Sequence, residues 1–419
     1  MTSIDEVYEL FLKSNGVQTD SRILKDGELF FALKGKNFDG NLFVKQAIEK
    51  NAYGCIVDNY SIAARSDKKI YYVKDVLNCL QLLAKKHRCK FNIPVFALTG
   101  SNGKTTTKEL ISKNLSVSHK PLTTKGNYNN HIGVPLTLLR LNKSHTHAII
   151  EMGANKLGEI DFLCSIANPT HGLITNIGKA HLEGFKSIEG VLKGKTELYK
   201  YIKKNEGYIF LNSENFKLVE ASKGTKIIEY SKKDLKISDH KTKICVHYKK
   251  NIIQTNLFGD YNIENIVASI CVAKFFGVSD DDIVIGISNY IPLNNRSQII
   301  TRGEQILIMD AYNANPSSMK KALSSLKTKV GDKTLIIGEM AELGNDKQKE
   351  HIKLVDEINK MNFSSTFWVG PSFKNIVLQN WFENSLSLKK YLSNNKILTK
   401  FIFLKGSRSS KLEEIIDVL

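Results

Sequence analysis

A glycine-rich segment between a predicted strand and a predicted helix is the part of the sequence best suited to chemistry. Residues 99–106 read TGSNGKTT and follow an apolar run at 93–98. Glycines let backbone amides curl around phosphate oxygens, and the helix that follows adds partial positive charge. Lys104 would neutralise the outer phosphates, and the Thr105 hydroxyl would bind Mg²⁺. A chance glycine turn is the alternative, but the order strand, GK[ST] and helix favours a phosphate-binding loop.

This loop departs from the common pattern, because Leu98 stands where G-x-x-x-x-G-K-[ST] has its first glycine.

Glu151 ends a second apolar run, and Glu-Met-Gly at a strand end favours a site residue over a solvated acid. His181, taken alone, would be a partly buried histidine. We predict His145 and His147 to be surface histidines rather than a metal-binding pair.

Apolar runs that alternate with helical segments predict the scaffold that positions these side chains. Such alternation is typical of a parallel sheet with helices on both faces, whose ligands collect at the carboxyl ends of the strands. The later strands end in polar segments that suit a binding crevice, such as Asp310 to Asn313 and Lys405 to Arg408. The predicted strands are 93–98, 148–150, 172–175, 208–211, 305–309, 334–337, 366–369 and 400–404.

The chain divides into three predicted domains at 1–92, 93–297 and 298–419. A length of 419 residues exceeds what one ordinary core needs. The apolar run at 93–98 opens the second domain, and the regular strand–helix alternation marks the third. Within the second domain, the lysine-rich stretch 217–254 predicts irregular or edge structure, and 262–276 predicts a helix.

Composition limits the possible functions. The formal net charge is +18, but the lysines are scattered rather than gathered into a nucleic-acid-binding stripe, so we expect no nucleic-acid partner. Six scattered cysteines without a CxxC pair suit a reduced compartment. Since no apolar run approaches the ~18 residues of a membrane span, we expect no membrane insertion and a cytoplasmic location. We also expect a monomer.

The phosphate-binding loop and segments along nearly the whole chain resemble the Mur ligases, cytoplasmic enzymes that extend the peptide of the peptidoglycan precursor. The matching segments are TGSNGKTTT, TDSR, FALKG, GNYNN, EMG, TNIGKAHLE, GKTE, YNANP, GEMAELG and LKGSR. YNANP, GEMAELG and LKGSR resemble the member that adds D-alanyl-D-alanine to UDP-N-acetylmuramoyl-tripeptide. The sister enzyme that adds the third amino acid usually has an Asp-Asn-Pro-Arg stretch, which this chain lacks.

The resemblance implies a three-domain α/β architecture with a central P-loop parallel-sheet domain and a carboxy-terminal Rossmann-like domain. It implies ATP and Mg²⁺ as cofactors and an acyl-phosphate intermediate in peptide-bond formation. The catalytic groups would be Lys104, Glu151, His181 and Lys195. The metal ligands would be Thr105, Glu151, His181 and Lys195, the last of these carbamylated.

The resemblance also implies the binding residues. ATP would contact Gly100, Ser101, Asn102, Gly103, Lys104, Thr105, Thr106, Asn262, Asn265, Arg296 and Asp310. The uridine nucleotide would contact Ser21, Arg22, Lys34, Gly35, Asn37 and Asp39. The sugar-peptide would contact Asn127, Asn129 and Asn130, and the dipeptide Asn313, Asn315, Ser407 and Arg408.

Two departures from the family pattern lie beside the nucleotide residues, where Tyr261 replaces a usual His and Asn295 a usual Gly. Two alternatives remain open from the sequence. One is a ligase of the same family that acts on another amino acid or another acceptor, such as a folate-type substrate. TDSR and YNANP argue against the folate-type substrate. The other is a nucleotide-switched protein that binds nucleic acid through its positive charge, with steep salt dependence.

Overall fold

Mixed α/β architecture with parallel sheets, as predicted, is confirmed by a computed structural model that describes residues 1–64, 69–238, 242–293 and 295–419. Helices cover both faces of the larger sheets, so their strands are buried along most of their length. Among the described residues, no helix has the length and apolar character required to cross a membrane.

The amino-terminal part forms a short parallel sheet and a separate hairpin. Its helices are α1 (Ile4–Lys13), α2 (Val44–Glu49), α3 (Tyr60–Ala63) and α4 (Val76–Arg88). Its strands are β1 (Val17–Gln18), β2 (Leu29–Phe31), β3 (Lys34–Gly35), β4 (Phe38–Asp39), β5 (Gly54–Val57) and β6 (Ile70–Tyr72). The sheet order is β1-β2-β5-β6, and β3 pairs with β4 antiparallel.

The central part is built on a six-stranded parallel sheet whose successive strands are connected through helices. Its main strands are β7 (Val95–Thr99), β8 (Pro121–Thr123), β9 (His147–Glu151), β10 (His171–Ile174), β11 (Tyr208–Asn212) and β12 (Lys226–Tyr230). Its helices are α5 (Lys104–Leu115), α6 (Gly133–Leu138), α7 (Glu159–Ala167), α8 (Leu182–Phe185), α9 (Ile188–Lys195), α10 (Glu197–Lys204), α11 (Phe216–Ala221), α12 (Ile263–Phe275) and α13 (Asp280–Ser288). The order is β12-β11-β10-β7-β9-β8, which places the phosphate-loop strand β7 between β9 and β10.

The prediction of irregular or edge structure over 217–254 is confirmed for the edge strand β12, but it is wrong for most of the rest of that stretch, which is regular. It contains α11, the edge strand β12 and an antiparallel sheet of β13 (Lys236–Ser238), β14 (Cys245–Tyr248) and β15 (Asn251–Gln254). Residues 239–241 of the stretch lie outside the described residues. Lysines obscured the pattern, because they sit on the solvent side while Val246 and Ile253 are fully buried.

The carboxy-terminal part is built on a six-stranded sheet that is mostly parallel. Its strands are β16 (Gln298–Arg302), β17 (Gln305–Asp310), β18 (Lys333–Gly338), β19 (Ser365–Val369), β20 (Trp381–Phe382) and β21 (Phe401–Lys405). Its helices are α14 (Pro316–Lys327), α15 (Lys347–Asn359) and α16 (Ser385–Leu392). The order is β16-β17-β21-β18-β19-β20, and β16 is an antiparallel edge strand that the sequence did not indicate.

The cores of the three parts are joined unequally. One apolar cluster runs from α1 and α4 into the central sheet and its helices. The carboxy-terminal sheet instead has its own clusters on its two faces, which Phe258 and Tyr261 join from the central part. The carboxy-terminal part therefore has a largely separate core. The chain enters this part just before β16, which begins at Gln298.

Candidate functional site

A cleft of about 1070 Å³ lies between the central and carboxy-terminal sheets. It is lined by residues at the carboxyl ends of β7, β9 and β10 on one side, and of β17, β18 and β21 on the other. In parallel sheets this is the edge at which ligands bind. The cleft therefore collects the polar strand ends that the sequence pointed to.

The phosphate-binding loop follows β7 and contains two glycines, at positions where a side chain would be strained and would clash with a neighbour. Gly100 has φ +144°, and a Cβ there would lie 2.0 Å from Thr175 Oγ1. Gly103 has φ +80°, and a Cβ would lie 2.4 Å from Asn265 Oδ1. Asn176 holds the tip of the loop, because its Oδ1 accepts from Asn102 N (3.0 Å) and its Nδ2 donates to Asn102 O (3.0 Å). The loop is thus preformed to present its amides.

Lys104 folds back onto this loop. Its Nζ donates to Gly100 O at 2.7 Å and lies 3.4 Å from Ser101 O. Burial lowers the pKa of Lys104, and Glu151 counteracts that shift. Backbone carbonyls are the partners that a phosphate oxygen would replace, so the amine is held next to the position of the outer phosphates.

Glu151, at the end of β9, is almost fully buried at 1% exposure. Its Oε1 accepts from Thr105 Oγ1 (3.2 Å) and from Asn129 Nδ2 (2.8 Å). Its Oε2 has no hydrogen-bond partner among the described residues, although Lys108 Nζ lies 3.7 Å away. A buried carboxylate oxygen without a hydrogen bond is costly unless a cation sits on it. The geometry therefore offers one oxygen for a cation beside Thr105.

Lys195 lies at the end of α9 behind the cleft and is completely buried. Its Nζ donates to Ala154 O at 3.1 Å and lies 5.3 Å from the centre of the Phe185 ring. Burial is the main reason that its pKa is well below the ordinary lysine value, and the positive charge of Lys104 adds to the shift. Burial therefore favours the neutral form of this amine, which is the nucleophilic form.

His181 meets a residue of the opposite side of the cleft. Its Nδ1 lies 2.7 Å from Glu342 Oε2, at the distance of a hydrogen bond although outside its angular range. This contact with His181 is the main reason that the pKa of Glu342 lies below the ordinary value. Both residues have left-handed backbones, with φ +52° and +62°.

The two asparagines predicted to contact the adenosine, Asn262 and Asn265, are hydrogen-bonded to each other. Asn265 Nδ2 donates to Asn262 Oδ1 (2.8 Å), and Asn262 Nδ2 donates to Phe258 O (2.8 Å) and Ser297 Oγ (3.2 Å). Tyr261, which replaces the family's usual His, pairs through its hydroxyl with the same Ser297 Oγ at 2.9 Å. The asparagines therefore fix α12 to the link that enters the carboxy-terminal sheet.

Two guanidinium groups share one aromatic ring on the opposite wall. The Arg296 guanidinium lies 3.6 Å from the centre of the Tyr312 ring, and that of Arg408 lies 5.4 Å from it. Neither has a carboxylate partner within the described part of the chain. Asp310, next to them, is instead paired with the buried Lys405 at 2.6 Å. The wall therefore presents free cationic forks suited to carboxylates or phosphates.

The residues predicted for the dipeptide differ in their surroundings. Asn313 and Arg408 are exposed in the cleft. Ser407 is buried, and its Oγ accepts from Ala341 N at 2.8 Å. Asn315 caps α14, and its Nδ2 donates to Asn102 Oδ1 at 2.7 Å, so it connects the two walls rather than lining the cleft.

The residues predicted for the uridine nucleotide lie in the amino-terminal part and do not line this cleft. Arg22 pairs with Asp20 at 2.7 Å, Lys34 with Asp58 at 2.9 Å, and Ser21 Oγ donates to Gln46 Oε1 at 2.7 Å. Asp39 caps the turn at Gly40–Phe43, and Gly35 and Asn37 belong to or adjoin the β3–β4 hairpin.

The structure brings most of the remaining predicted residues to the cleft, with Gly100, Lys195 and Asn315 behind its surface. The sequence reasoning missed Lys108, Tyr312 and Glu342. Tyr312 and Glu342 lie inside segments that carried the resemblance, but their contacts join distant parts of the chain. The predicted residues that line the cleft are Ser101, Asn102, Gly103, Lys104, Thr105, Thr106, Asn127, Asn129, Asn130, Glu151, His181, Asn262, Asn265, Arg296, Asp310, Asn313, Ser407 and Arg408.

His147 contradicts its sequence prediction as a surface residue. It is 9% exposed and packs edge-on against His119 and Phe276, with ring centres 4.8 and 4.7 Å away. Burial lowers the pKa of His147 to about 4. It begins β9 in a sheet covered on both faces, at the opposite end of the strand from Glu151.

A phosphate-binding loop at the edge of a parallel α/β sheet defines the chain as a P-loop nucleotide-using protein. Family models match at residues 13–88 (Mur ligase family, catalytic domain), 98–273 (Mur ligase middle domain) and 295–378 (Mur ligase, glutamate ligase domain). The chain belongs to the Mur ligase family.

Individual relatives cover nearly the whole chain. It is 32% identical to the UDP-N-acetylmuramoyl-tripeptide–D-alanyl-D-alanine ligase of Bacillus subtilis (strain 168), over 97% of this chain and 93% of that protein. It is 35% identical to the protein of the same name from Buchnera aphidicola subsp. Baizongia pistaciae (strain Bp), over 97% and 92%. A crystal structure of MurF from Acinetobacter baumannii superimposes with a TM-score of 0.84 at 29% identity, covering 98% of this chain and 97% of that one.

Proposed function

We propose that this chain is an ATP-dependent ligase that joins D-alanyl-D-alanine to UDP-N-acetylmuramoyl-tripeptide in peptidoglycan precursor synthesis. The names of the relatives supply the substrates, since their similarity extends over nearly the whole length of both chains. The observation that carries the proposal is the cleft itself. A preformed phosphate loop and a buried acid on one wall face two free guanidinium groups on the other.

The proposed reaction explains why these groups are needed together. A carboxylate oxygen of the tripeptide bonds to the γ-phosphorus of ATP while the bond to the bridging oxygen breaks, giving ADP and an acyl phosphate. The dipeptide amine then forms the C–N bond, inorganic phosphate leaves, and the amine releases its protons to solvent. Because like charges meet in the first step, positioning and charge neutralisation by Lys104 and Arg296 are the main contributions of the protein.

Mg²⁺ is part of the proposal, and the donor set fits it. Glu151 Oε2 is a buried oxygen without a hydrogen bond, next to the Thr105 hydroxyl, and Mg²⁺ prefers such hard oxygen ligands. Within the described ranges, no group of three or more His, Cys, Asp or Glu side chains is arranged to hold a metal alone. Phosphate and water oxygens would therefore complete the coordination. When bound, the ion would neutralise phosphate charge.

Lys195 would serve this region as a carbamate, which turns its amine into an anionic oxygen donor. Support comes from its complete burial and its lowered pKa, since carbamylation requires a neutral amine. His181 would lie beside it as the further ligand. Labelling with ¹³C-bicarbonate, compared between the wild type and Lys195→Arg, tests this part. A carbamate signal that persists in Lys195→Arg would exclude this lysine.

The three predicted domains would divide the substrates among them. Residues 1–92 would hold the uridine nucleotide through Ser21, Arg22, Lys34, Gly35, Asn37 and Asp39, residues 93–297 ATP, and residues 298–419 the dipeptide. The sheets change at the proposed boundaries, between β6 and β7 and between β15 and β16. A monomer in the cytoplasm completes the proposal.

The direct test is ATP-dependent phosphate release with UDP-N-acetylmuramoyl-tripeptide and D-alanyl-D-alanine, omitting each component in turn. We expect release only when all three are present, together with a product heavier by the dipeptide in mass spectrometry. Release that is unchanged without the dipeptide would contradict the proposal and lead to single amino acids as substrates of a sister ligase.

A further inference from the structure

The strongest unexplained feature of the cleft is the contact of Glu342 with His181. Glu342 lies in the loop after β18, and His181 lies in the loop after β10, so each belongs to a different sheet. The carboxylate Oε2 is 2.7 Å from Nδ1, and both side chains line the cleft. The Glu342 charge also acts on the two lysines of the site, Lys104 and Lys195.

The short contact favours a proton on Nδ1. Its angle lies outside the range of a hydrogen bond, but at 2.7 Å an unprotonated Nδ1 would bring its electron density against an anionic oxygen, which is repulsive. Nδ1 is therefore protonated, and in the neutral ring Nε2 carries the lone pair. Nε2 has no hydrogen-bond partner among the residues that the structure describes, so it is free to accept a proton or a cation.

Both loops hold strained backbones to make this contact. His181 and Glu342 have φ +52° and +62°, a region that residues other than glycine seldom occupy. Gly344 (φ +56°) brings the Glu342 loop against Glu183, where a Cβ would lie 3.3 Å from the Glu183 Cα. Strain of this kind persists where neighbouring contacts enforce it, and it is concentrated at functional sites.

We propose that Glu342 is a positioning residue for the ligase reaction, which sets the tautomer and orientation of His181 from across the cleft. The proposal rests on the proposed function. His181 receives its partner only when the carboxy-terminal sheet is docked on the central one. The site is therefore complete in the closed arrangement alone.

The interface provides a matched control for this role. Glu350 also reaches from the carboxy-terminal part to the central part, where its Oε1 pairs with Lys179 at 2.9 Å. It is an acid of the same type in the same interface, but it does not contact His181. Glu350→Ala removes an inter-sheet ion pair without changing the tautomer of His181.

The test compares Glu342→Ala, Glu342→Gln and Glu350→Ala in the full chain. We expect Glu342→Ala to lower kcat about 10- to 100-fold, as for other carboxylates that orient a histidine, with a smaller effect on the KM for ATP. Glu342→Gln should recover part of kcat, because its amide oxygen can take the place of the carboxylate oxygen beside a protonated Nδ1. Glu350→Ala should keep kcat within about twofold of the wild type, because Glu350 does not contact His181 and the Lys179 amine that it leaves behind is 38% exposed and can be solvated.

The second readout is the tautomer itself, measured at fixed pH by ¹⁵N NMR of histidine-labelled protein. His181→Gln assigns the signal among the 10 histidines. We expect an Nδ1-protonated ring in the wild type and in Glu350→Ala, and a population protonated at Nε2 in Glu342→Ala. An unchanged tautomer in Glu342→Ala, or an equal loss of kcat in Glu350→Ala, would overturn the proposal. Failure of the wild type to form the ligation product would instead count against the proposed function.

Discussion

The central part of the molecule has two neighbours, and it meets them in different ways. Towards the amino terminus, α4 packs on α6 and α7 within one continuous apolar cluster. Buried Arg88 adds a bond from Nε to Ala167 O at 3.0 Å. Towards the carboxy terminus, apolar contact among the described residues is confined to Phe258 and Tyr261, which pack on the carboxy-terminal core. The contacts across the cleft itself are polar and include Asn102–Asn315, Lys179–Glu350 and His181–Glu342.

This difference assigns different mechanical roles to the two interfaces. Separating the buried interface would expose apolar surface to water, which is expensive, so the amino-terminal and central parts move as one unit. The polar interface exchanges its hydrogen bonds and ion pairs for water at small net cost. It can therefore open to admit substrates and close to exclude water, as expected for a site assembled between domains.

The largest expected effect comes from a substitution in the phosphate-binding loop, which leaves both interfaces intact. Lys104→Ala should lower kcat by about 10³-fold or more, because it removes the cation that faces the outer phosphates. The melting temperature should stay near that of the wild type. Steady-state kinetics with thermal unfolding checks both. Retained turnover, or an unfolded variant, would contradict the assignment of Lys104 to phosphate.

A core substitution should break the buried interface. Leu83 is fully buried on α4, and its neighbour Leu82 is 45% exposed, which makes a matched pair. Leu83→Ala should lower the free energy of unfolding by about 2 to 5 kcal/mol, and Leu82→Ala by less than about 1 kcal/mol. Denaturant unfolding measures both values. Equal losses in the two variants would mean that α4 is not anchored through this face.

Acid should weaken the buried unit before it affects the polar interface. Burial lowers the pKa of His147 and of His171 to about 4, and it also lowers the pKa of His87 on α4. The unfolded chain, with histidine pKa values of about 6.5, takes up these protons first. Stability is therefore complete above pH ~6.5 and is lost as the pH falls towards about 4.

The same titration distinguishes the polar interface. The pKa of Glu350 is below the ordinary glutamate value, so its ion pair with Lys179 is kept until the pH falls below about 4.5. Thermal melts from pH 7 to 5 should show a falling melting temperature in the wild type and a smaller fall in His171→Gln. Identical pH dependence in the two proteins would contradict the role of this histidine.

The smallest expected effect is at the polar interface. Glu350→Ala should change the free energy of unfolding by less than about 1 kcal/mol, because the Lys179 amine that it leaves behind is 38% exposed and can be solvated. The radius of gyration from X-ray scattering should stay near that of the wild type, because the Asn102–Asn315 and His181–Glu342 contacts remain. An expanded variant, or a loss of several kcal/mol, would show that this single pair is needed to close the cleft.

The sequence predicted those features whose signals are local. The phosphate loop, Glu151 and the long apolar strands β7, β9, β10 and β11 were recognisable from neighbouring residues. The antiparallel edge strand β16 was not recognised, although it pairs with the adjacent β17, because none of its residues is buried and it has no long apolar run. The short strand β8 was not recognised, because its pairing depends on β9, which is distant in the sequence. For the same reason Lys108 and Glu342 were missed, since their roles come from contacts with Glu151 and His181 that only the folded chain creates.

Hydrogen–deuterium exchange with and without a non-hydrolysable ATP analogue and UDP-N-acetylmuramoyl-tripeptide tests the difference between the interfaces most directly. Peptides covering α4 and α6 should exchange slowly in both conditions. Peptides covering 176–183 and 340–350 should exchange quickly in the free protein and slow on addition of the ligands. Protection that changes equally at both interfaces, or at neither, would contradict a permanent amino-terminal interface and a closing carboxy-terminal one.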